Sequence, residues 1–186
     1  WLLNVNPFSE WDRGFIALGP SGTFAPISHA GQVYTFESVN AFRTGLEASV
    51  QVTKGVWLAS ADGSLLGQWD VETGLGLPFT TPAELHTVIG RNLNQNQNHH
   101  LTVSCRAIAD ATLTARNEAP TEGALLWGLG WSLARRVGTW SINLHNASNT
   151  AWLDHTSAYR ALGLVAQGRW MQLSFTTSVK QSKKNK

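Results

Sequence analysis

Apolar and polar side chains alternate strictly along residues 139–146, and this pattern constrains the fold more than any other feature of the sequence. One set of alternate positions is apolar and the other polar: Trp140, Ile142 and Leu144 against Ser141, Asn143 and His145. Successive side chains of a strand point to opposite faces, so the segment predicts a β-strand with one apolar and one polar face.

The same period of two recurs along most of the chain and predicts an all-β fold of about eight strands. Strands are predicted at residues 2–18, 42–52, 56–68, 85–90, 101–107, 125–133, 139–146 and 171–177. Pro7 is expected to break the first of them, because proline cannot donate a hydrogen bond to a neighbouring strand. The sequence shows no amphipathic helix of useful length.

The connections between these strands alternate in length. Short ones fall at residues 54–55 and 135–138, long ones at 19–31, 70–82, 110–122 and 146–169, and the polar link 92–99 is intermediate. Short turns at one end and long loops at the other are typical of an antiparallel outer-membrane β-barrel. A soluble antiparallel sandwich, whose strands also alternate, is the competing interpretation.

Composition favours the membrane barrel. Only 14% of the residues are charged, against about 25% in soluble domains. No apolar run approaches the roughly 18 residues of a membrane helix, so a membrane assignment depends on strands. Tryptophans near strand ends predict an interfacial girdle, made of Trp57, Trp127, Trp131, Trp140 and Trp170.

Charges on the predicted polar faces suit a water-filled lumen rather than a dry core. They are Arg43, Glu47, Asp62 and Arg106. The open edges of a sheet cannot lie in lipid, because each unpaired backbone group there costs several kcal/mol. About eight strands must therefore close into a small barrel or continue into further strands, and we expect continuation, with this chain as a piece of a larger barrel.

Other classes of function find little support in the residues. The basic residues at 180–186 have no interleaved aromatic residues and are interpreted as a solvated polar tail, not a nucleic-acid site. Asp154, His155 and Ser157 lie in one loop with no strand-turn-helix nucleophile elbow, so we expect no enzyme and no cofactor. The single cysteine, Cys105, excludes an internal disulfide and fits a small apolar strand residue.

Several segments, taken in order, resemble the carboxy-terminal strands of TonB-dependent outer-membrane receptors. They are residues 15–22, 32–36, 40–48, 77–85 and 117–123, and then 142–147, Asp154 with His155, 159–163, and Gly168 with Arg169. Their order and spacing cover nearly the whole chain. The resemblance implies that residues 1–179 are a segment of a plugged transmembrane β-barrel, with 180–186 as its tail. One departure is that Val179 stands where the family ends on an aromatic residue.

The resemblance also implies a function and a set of partners. The chain would be part of a Gram-negative outer-membrane transporter for a scarce nutrient such as zinc or chelated iron. Its partners would be membrane lipid, the remaining strands, the plug and, through the plug, a TonB-type energy-transducing protein. The alternative is a barrel or partial barrel that does not transport and anchors other envelope proteins.

Candidate ligand-binding residues lie in the predicted long loops. They are His29, Glu118, Glu122, Asp154 and His155, whose imidazole and carboxylate groups suit zinc or iron. The competing interpretation is that they are solvated, or that Asp154 and His155 hydrogen-bond the loop backbone. The metal itself is not specified by the sequence.

Overall fold

The computed structural model describes residues 1–24, 32–94 and 98–177. This part of the chain contains eight strands and one short 3-10 helix at Ala158–Leu162. The strands are β1 (Leu2–Phe24), β2 (Gln32–Lys54), β3 (Trp57–Asp70), β4 (Glu84–Asn92), β5 (His99–Ile108), β6 (Ala124–Arg135), β7 (Gly138–His145) and β8 (Trp170–Thr176). None of the described helices is long and apolar enough to cross a bilayer.

The eight strands form a single antiparallel sheet in which each strand pairs with the next along the chain. The order is β1 to β8 without a crossover, so β1 and β8 lie at the two edges. The connections after β2, β4 and β6 are short and lie at one end of the sheet. Those after β3, β5 and β7 are long and lie at the other end. The predicted number of strands and the alternation of loop length are confirmed.

The first two strands are longer than the sequence predicts. β1 runs through Pro7, which lies opposite Leu46, and an edge strand tolerates proline because one of its sides has no partner strand. β2 begins at Gln32, ten residues before the predicted start, and residues 32–39 pair with β1 rather than with β3. Residues 19–24 of the predicted loop 19–31 are therefore part of a two-stranded ribbon with residues 32–39, which extends beyond the sheet.

Register places the apolar positions of neighbouring strands on one face. A row of directly paired apolar residues crosses seven strands: Val52, Ala59, Ile89, Val103, Leu129, Leu144 and Met171. Because paired residues of antiparallel strands share a face, these side chains form one continuous apolar surface. We call it the apolar face.

The opposite surface, the polar face, carries hydrophilic residues in the same register. One of its rows contains Asn4, Ser49, Asp62, His86 and Arg106. Among the described residues, only four large or small hydrophobic side chains are buried: Ala17, Ala41, Leu77 and Ala111. Many large apolar side chains instead lie exposed on the apolar face, which soluble monomers rarely allow over so wide a surface.

Candidate functional site

Four of the five predicted girdle tryptophans lie on the apolar face. Trp57, Trp131 and Trp140 lie toward the short turns, and Trp127 lies toward the long loops. Arg91 pairs with Trp57 on this face, and its guanidinium carbon lies 5.1 Å from the centroid of the Trp57 ring. A cation held over an aromatic ring suits the polar boundary of an apolar band.

The fifth predicted girdle residue, Trp170, is on the other face, and its assignment to the girdle was wrong. It pairs with His145 and stacks on that imidazole, with ring centroids 4.1 Å apart and planes 13° apart. The sequence correctly placed Trp170 near a strand end, because it is the first residue of β8. The error concerns only the face on which its side chain lies. The face of such a residue follows from cross-strand register, which the local pattern does not contain.

A second aromatic row on the apolar face was missed by the sequence analysis. Trp11, Phe42 and Trp69 are paired across β1, β2 and β3. Ring centroids are 5.9 Å apart between Trp11 and Phe42, and 5.1 Å apart between Phe42 and Trp69. With Trp127, this row marks the boundary of the apolar face at its long-loop end.

The long loops and the β1–β2 ribbon pack together at that end and form a cap, which we define as residues 71–83, 109–123 and 146–169. Tyr34 of the ribbon stacks on Phe79 with centroids 5.6 Å apart. Its hydroxyl donates to the carbonyl of Ala158 at 3.2 Å. The side-chain amide of Asn117 donates to the carbonyl of Pro20 in the ribbon at 3.4 Å. The ribbon therefore contacts all three loops of the cap.

Glu118 is the centre of the cap, and its carboxylate is fully shielded from solvent. One oxygen accepts the backbone N–H of Phe79 at 2.9 Å, and the other accepts that of Ala115 at 2.8 Å. The guanidinium of Arg160 donates to the oxygen that Phe79 also contacts. A buried charge is tolerated only when it is paired and hydrogen-bonded, and both conditions hold here.

His155 lies against this carboxylate and is also buried. Its Nε2 is 3.7 Å from Oε1 of Glu118, beyond hydrogen-bond distance, and has no partner within the described residues. Its Nδ1 shares a hydrogen bond of 3.1 Å with the hydroxyl of Thr121. Burial lowers the pKa of His155 from its ordinary value, and the nearby Arg160 charge lowers it further, against the opposing effect of Glu118.

Arg160 completes this group, and its guanidinium also donates to the carbonyls of His155 and Ser157. Its guanidinium carbon lies 5.1 Å from the centroid of the Phe79 ring. Arg160 therefore contacts all three loops of the cap. We refer to Glu118, His155 and Arg160 as the buried loop cluster.

The structure brings two of the five predicted ligand-binding residues, Glu118 and His155, into this cluster. Glu122 is exposed to solvent in the same loop as Glu118. Asp154 accepts hydrogen bonds from the backbone and hydroxyl of Thr156 at 2.9 and 2.7 Å. His29 lies outside the described residues. Arg160 was not among the predicted residues, since a lone arginine in a loop carries no local signal of burial.

Within the described residues, no group of three or more His, Cys, Asp or Glu side chains is arranged to hold a metal ion. Glu118 and His155 supply two potential ligands, and the Arg160 charge beside them opposes a cation. The chemistry that this arrangement supports is therefore structural, because it holds three loops in one conformation.

Ion pairs cross the polar face beneath the cap. Arg43 contacts Glu10 at 2.7 Å and Asp12 at 2.8 Å. Arg106 donates to both oxygens of Glu84, one of them at 2.7 Å. Charges at this density suit a surface that water reaches, as the sequence analysis expected.

Comparison with known proteins supports the fold. No family model and no curated protein matches the sequence. Among solved structures, the copper transporter OprC matches with a TM-score of 0.74 and 16% sequence identity, over 93% of this chain. The chain spans 28% of the length of that protein. The fold is that of an antiparallel transmembrane β-barrel, present here as an open segment of eight strands.

Proposed function

We propose that this chain is a carboxy-terminal segment of the barrel of a TonB-dependent outer-membrane receptor that takes up a scarce metal nutrient, such as zinc or chelated iron. The observation that carries the proposal is the open meander itself, with a continuous apolar face, a charged face and a cap of long loops at one end. This distribution of residues fits lipid outside, water inside and ligand access from the capped end.

The two open edges support a larger barrel. β1 and β8 each have one side without a partner strand in the described sheet, and such an edge cannot remain unpaired in lipid. Plugged outer-membrane transporters have about 22 strands, so eight would supply roughly a third of the wall. The remaining strands and the plug would come from the same polypeptide.

In this proposal the chain performs no bond chemistry. It supplies wall and loops, and the plug receives energy from a TonB-type partner in the inner membrane. The match to a copper transporter supports metal uptake as the class of function. The buried loop cluster would keep the cap in shape on the side from which the ligand arrives.

The test removes residues 1–177 from the encoding gene in the native host and measures uptake of radiolabelled zinc, copper and chelated iron under metal limitation. Uptake of one of these metals should fall to background, while porin-mediated uptake of a small sugar stays unchanged. The intact mass of the purified polypeptide gives a second readout. A product of 20.3 kDa with normal metal uptake in the deletion strain would contradict transport and favour the envelope anchor.

A further inference from the structure

A cavity of about 390 Å³ lies on the polar face, where the loop 146–169 folds back over the sheet. Its lining includes His86, Arg106, His145, Trp152 and Trp170. None of these residues belongs to the buried loop cluster. The volume falls within the range of about 300–1,000 Å³ found for small-molecule sites.

Two tryptophan rings give the cavity flat apolar walls that are already fixed in position. Trp170 is held by its stack on His145. The ring of Trp152 is held under Arg106, with its centroid 5.6 Å from the guanidinium carbon. Rings fixed before binding lose little conformational freedom when a ligand arrives, which favours affinity.

The polar groups of the cavity include a buried atom without a partner. His145 Nε2 is shielded from solvent and makes no hydrogen bond within the described residues. Such an atom is normally satisfied by a ligand or by water. The hydroxyl of Ser104 also lines the cavity, and it lies over Gly128, where a Cβ would be 2.4 Å from that oxygen.

The charge of the cavity is balanced. Arg106 provides its permanent positive charge, and two of the guanidinium nitrogens are bound by Glu84. No Asp or Glu is among the residues that line the described cavity. The lining of the cavity therefore offers no uncompensated charge that would bind an anion or a metal cation.

The geometry points to a binding site for a neutral ring that carries hydroxyl groups, the chemistry of a saccharide, in the cavity that Trp152 and Trp170 help to line on the polar face. A sugar ring has an apolar C–H face that covers an indole, and a rim of hydroxyls that donate to and accept from imidazole and hydroxyl groups. This inference goes beyond metal uptake. The inferred site is compatible with both a transporter and an envelope anchor.

Saturation-transfer NMR tests the site on the complete protein that contains this chain, in micelles of an amine-oxide detergent that contains no sugar. The probe is methyl α-D-glucopyranoside, compared with sorbitol, which has the hydroxyls without a rigid ring, and with benzoate, a flat anion. The glucoside should receive magnetisation mainly at its ring C–H protons. Sorbitol and benzoate should receive little.

Three variants locate the site. Trp152→Leu and Trp170→Leu should each weaken glucoside binding roughly five- to ten-fold, by removing a flat wall. His145→Phe keeps a ring to stack on Trp170, removes Nε2 and should also weaken binding. Trp11→Leu, on the apolar face, is the matched control and should bind as the parent does.

Circular dichroism and the heat-dependent shift on gels verify that each variant is folded. If Trp152→Leu or Trp170→Leu does not fold, glucoside binding is measured in His145→Phe alone, where it should be weaker than in the parent protein. Equal binding of sorbitol, tighter binding of benzoate, or unchanged glucoside binding in the folded variants would overturn the inference.

Discussion

Arg160 forms an ion pair with Glu118, a residue 42 positions earlier in the chain and in a different loop. The carboxylate has no solvent contact, and the arginine side chain is only 9% exposed. With Phe79 beneath the guanidinium, this pair joins the three loops of the cap. The conformation of these three loops therefore depends on a few side chains, and each of them can be tested by mutation.

Glu118→Gln should release the loop 146–169. The substitution leaves the Arg160 charge buried without its partner, and removing one member of a buried pair costs about 3–5 kcal/mol. Hydrogen exchange followed by mass spectrometry should show faster exchange in residues 146–169, with β6 and β7 unchanged. Glu122→Gln, exposed in the same loop, is the control. Equal protection in the two variants would show that the pair does not hold the cap.

Acid should weaken the cap through His155. Its pKa is lowered in the folded protein by burial and by Arg160, so the unfolded state binds the proton more readily. The contribution of His155 to the free energy of unfolding is therefore fully present above the ordinary histidine pKa of about 6.5, and it is lost as the pH drops below that value. The melting temperature in detergent should decrease between pH 7.5 and 5 more for the parent chain than for His155→Gln. An equal decrease in both proteins would contradict this role.

Most of the fold could be predicted from the sequence because its information is local. The alternation of Trp140, Ser141 and Ile142 specifies both a strand and its two faces within a few residues. Connection lengths are likewise read along the chain, and they predicted which connections lie at each end of the sheet. The ribbon was missed because residues 32–39 are held by pairing with β1, which local alternation does not reveal.

The candidate site was predicted only in part because its information is not local. Glu118 and His155 were identified by residue type, but their contact and the role of Arg160 depend on how three loops meet. Trp170 was placed on the wrong face for a related reason, since the register with His145 decides its direction. Long-range packing therefore accounts for what the pattern did not predict.

Gly45 should be the less replaceable of two glycines in the β2–β3 pair. A Cβ at Gly45 would lie 2.5 Å from the backbone oxygen of Leu65 and 2.5 Å from the ring of Phe8. At Gly67 its nearest neighbour would be the Trp69 side chain, at 3.2 Å. Gly45→Ala should therefore lower stability by about 1–3 kcal/mol and Gly67→Ala by less, as measured by guanidinium unfolding in detergent. The reverse order would show that β2 shifts to make room.

The assignment of the two faces can be tested with two neighbouring residues of β8. Leu173 belongs to the apolar face, opposite Ile142, and Gln172 belongs to the polar face, opposite Asn143. Both side chains are exposed in the isolated segment, so packing within it does not distinguish them. Leu173→Arg places a charge in lipid and should cost up to about 2–4 kcal/mol, depending on its depth. Gln172→Arg places the same charge in the lumen and should cost little.

Each substitution is made in the complete protein that contains this chain, and refolding into phospholipid vesicles followed by unfolding in guanidinium measures the difference. The comparison keeps the strand, the edge and the introduced side chain constant, so only the face changes. If Gln172→Arg were the more damaging substitution, the surface that contains Leu144 and Leu173 would face protein or water instead of lipid. The membrane orientation of the sheet would then have to be reversed, and with it the position of the cavity beside Trp170.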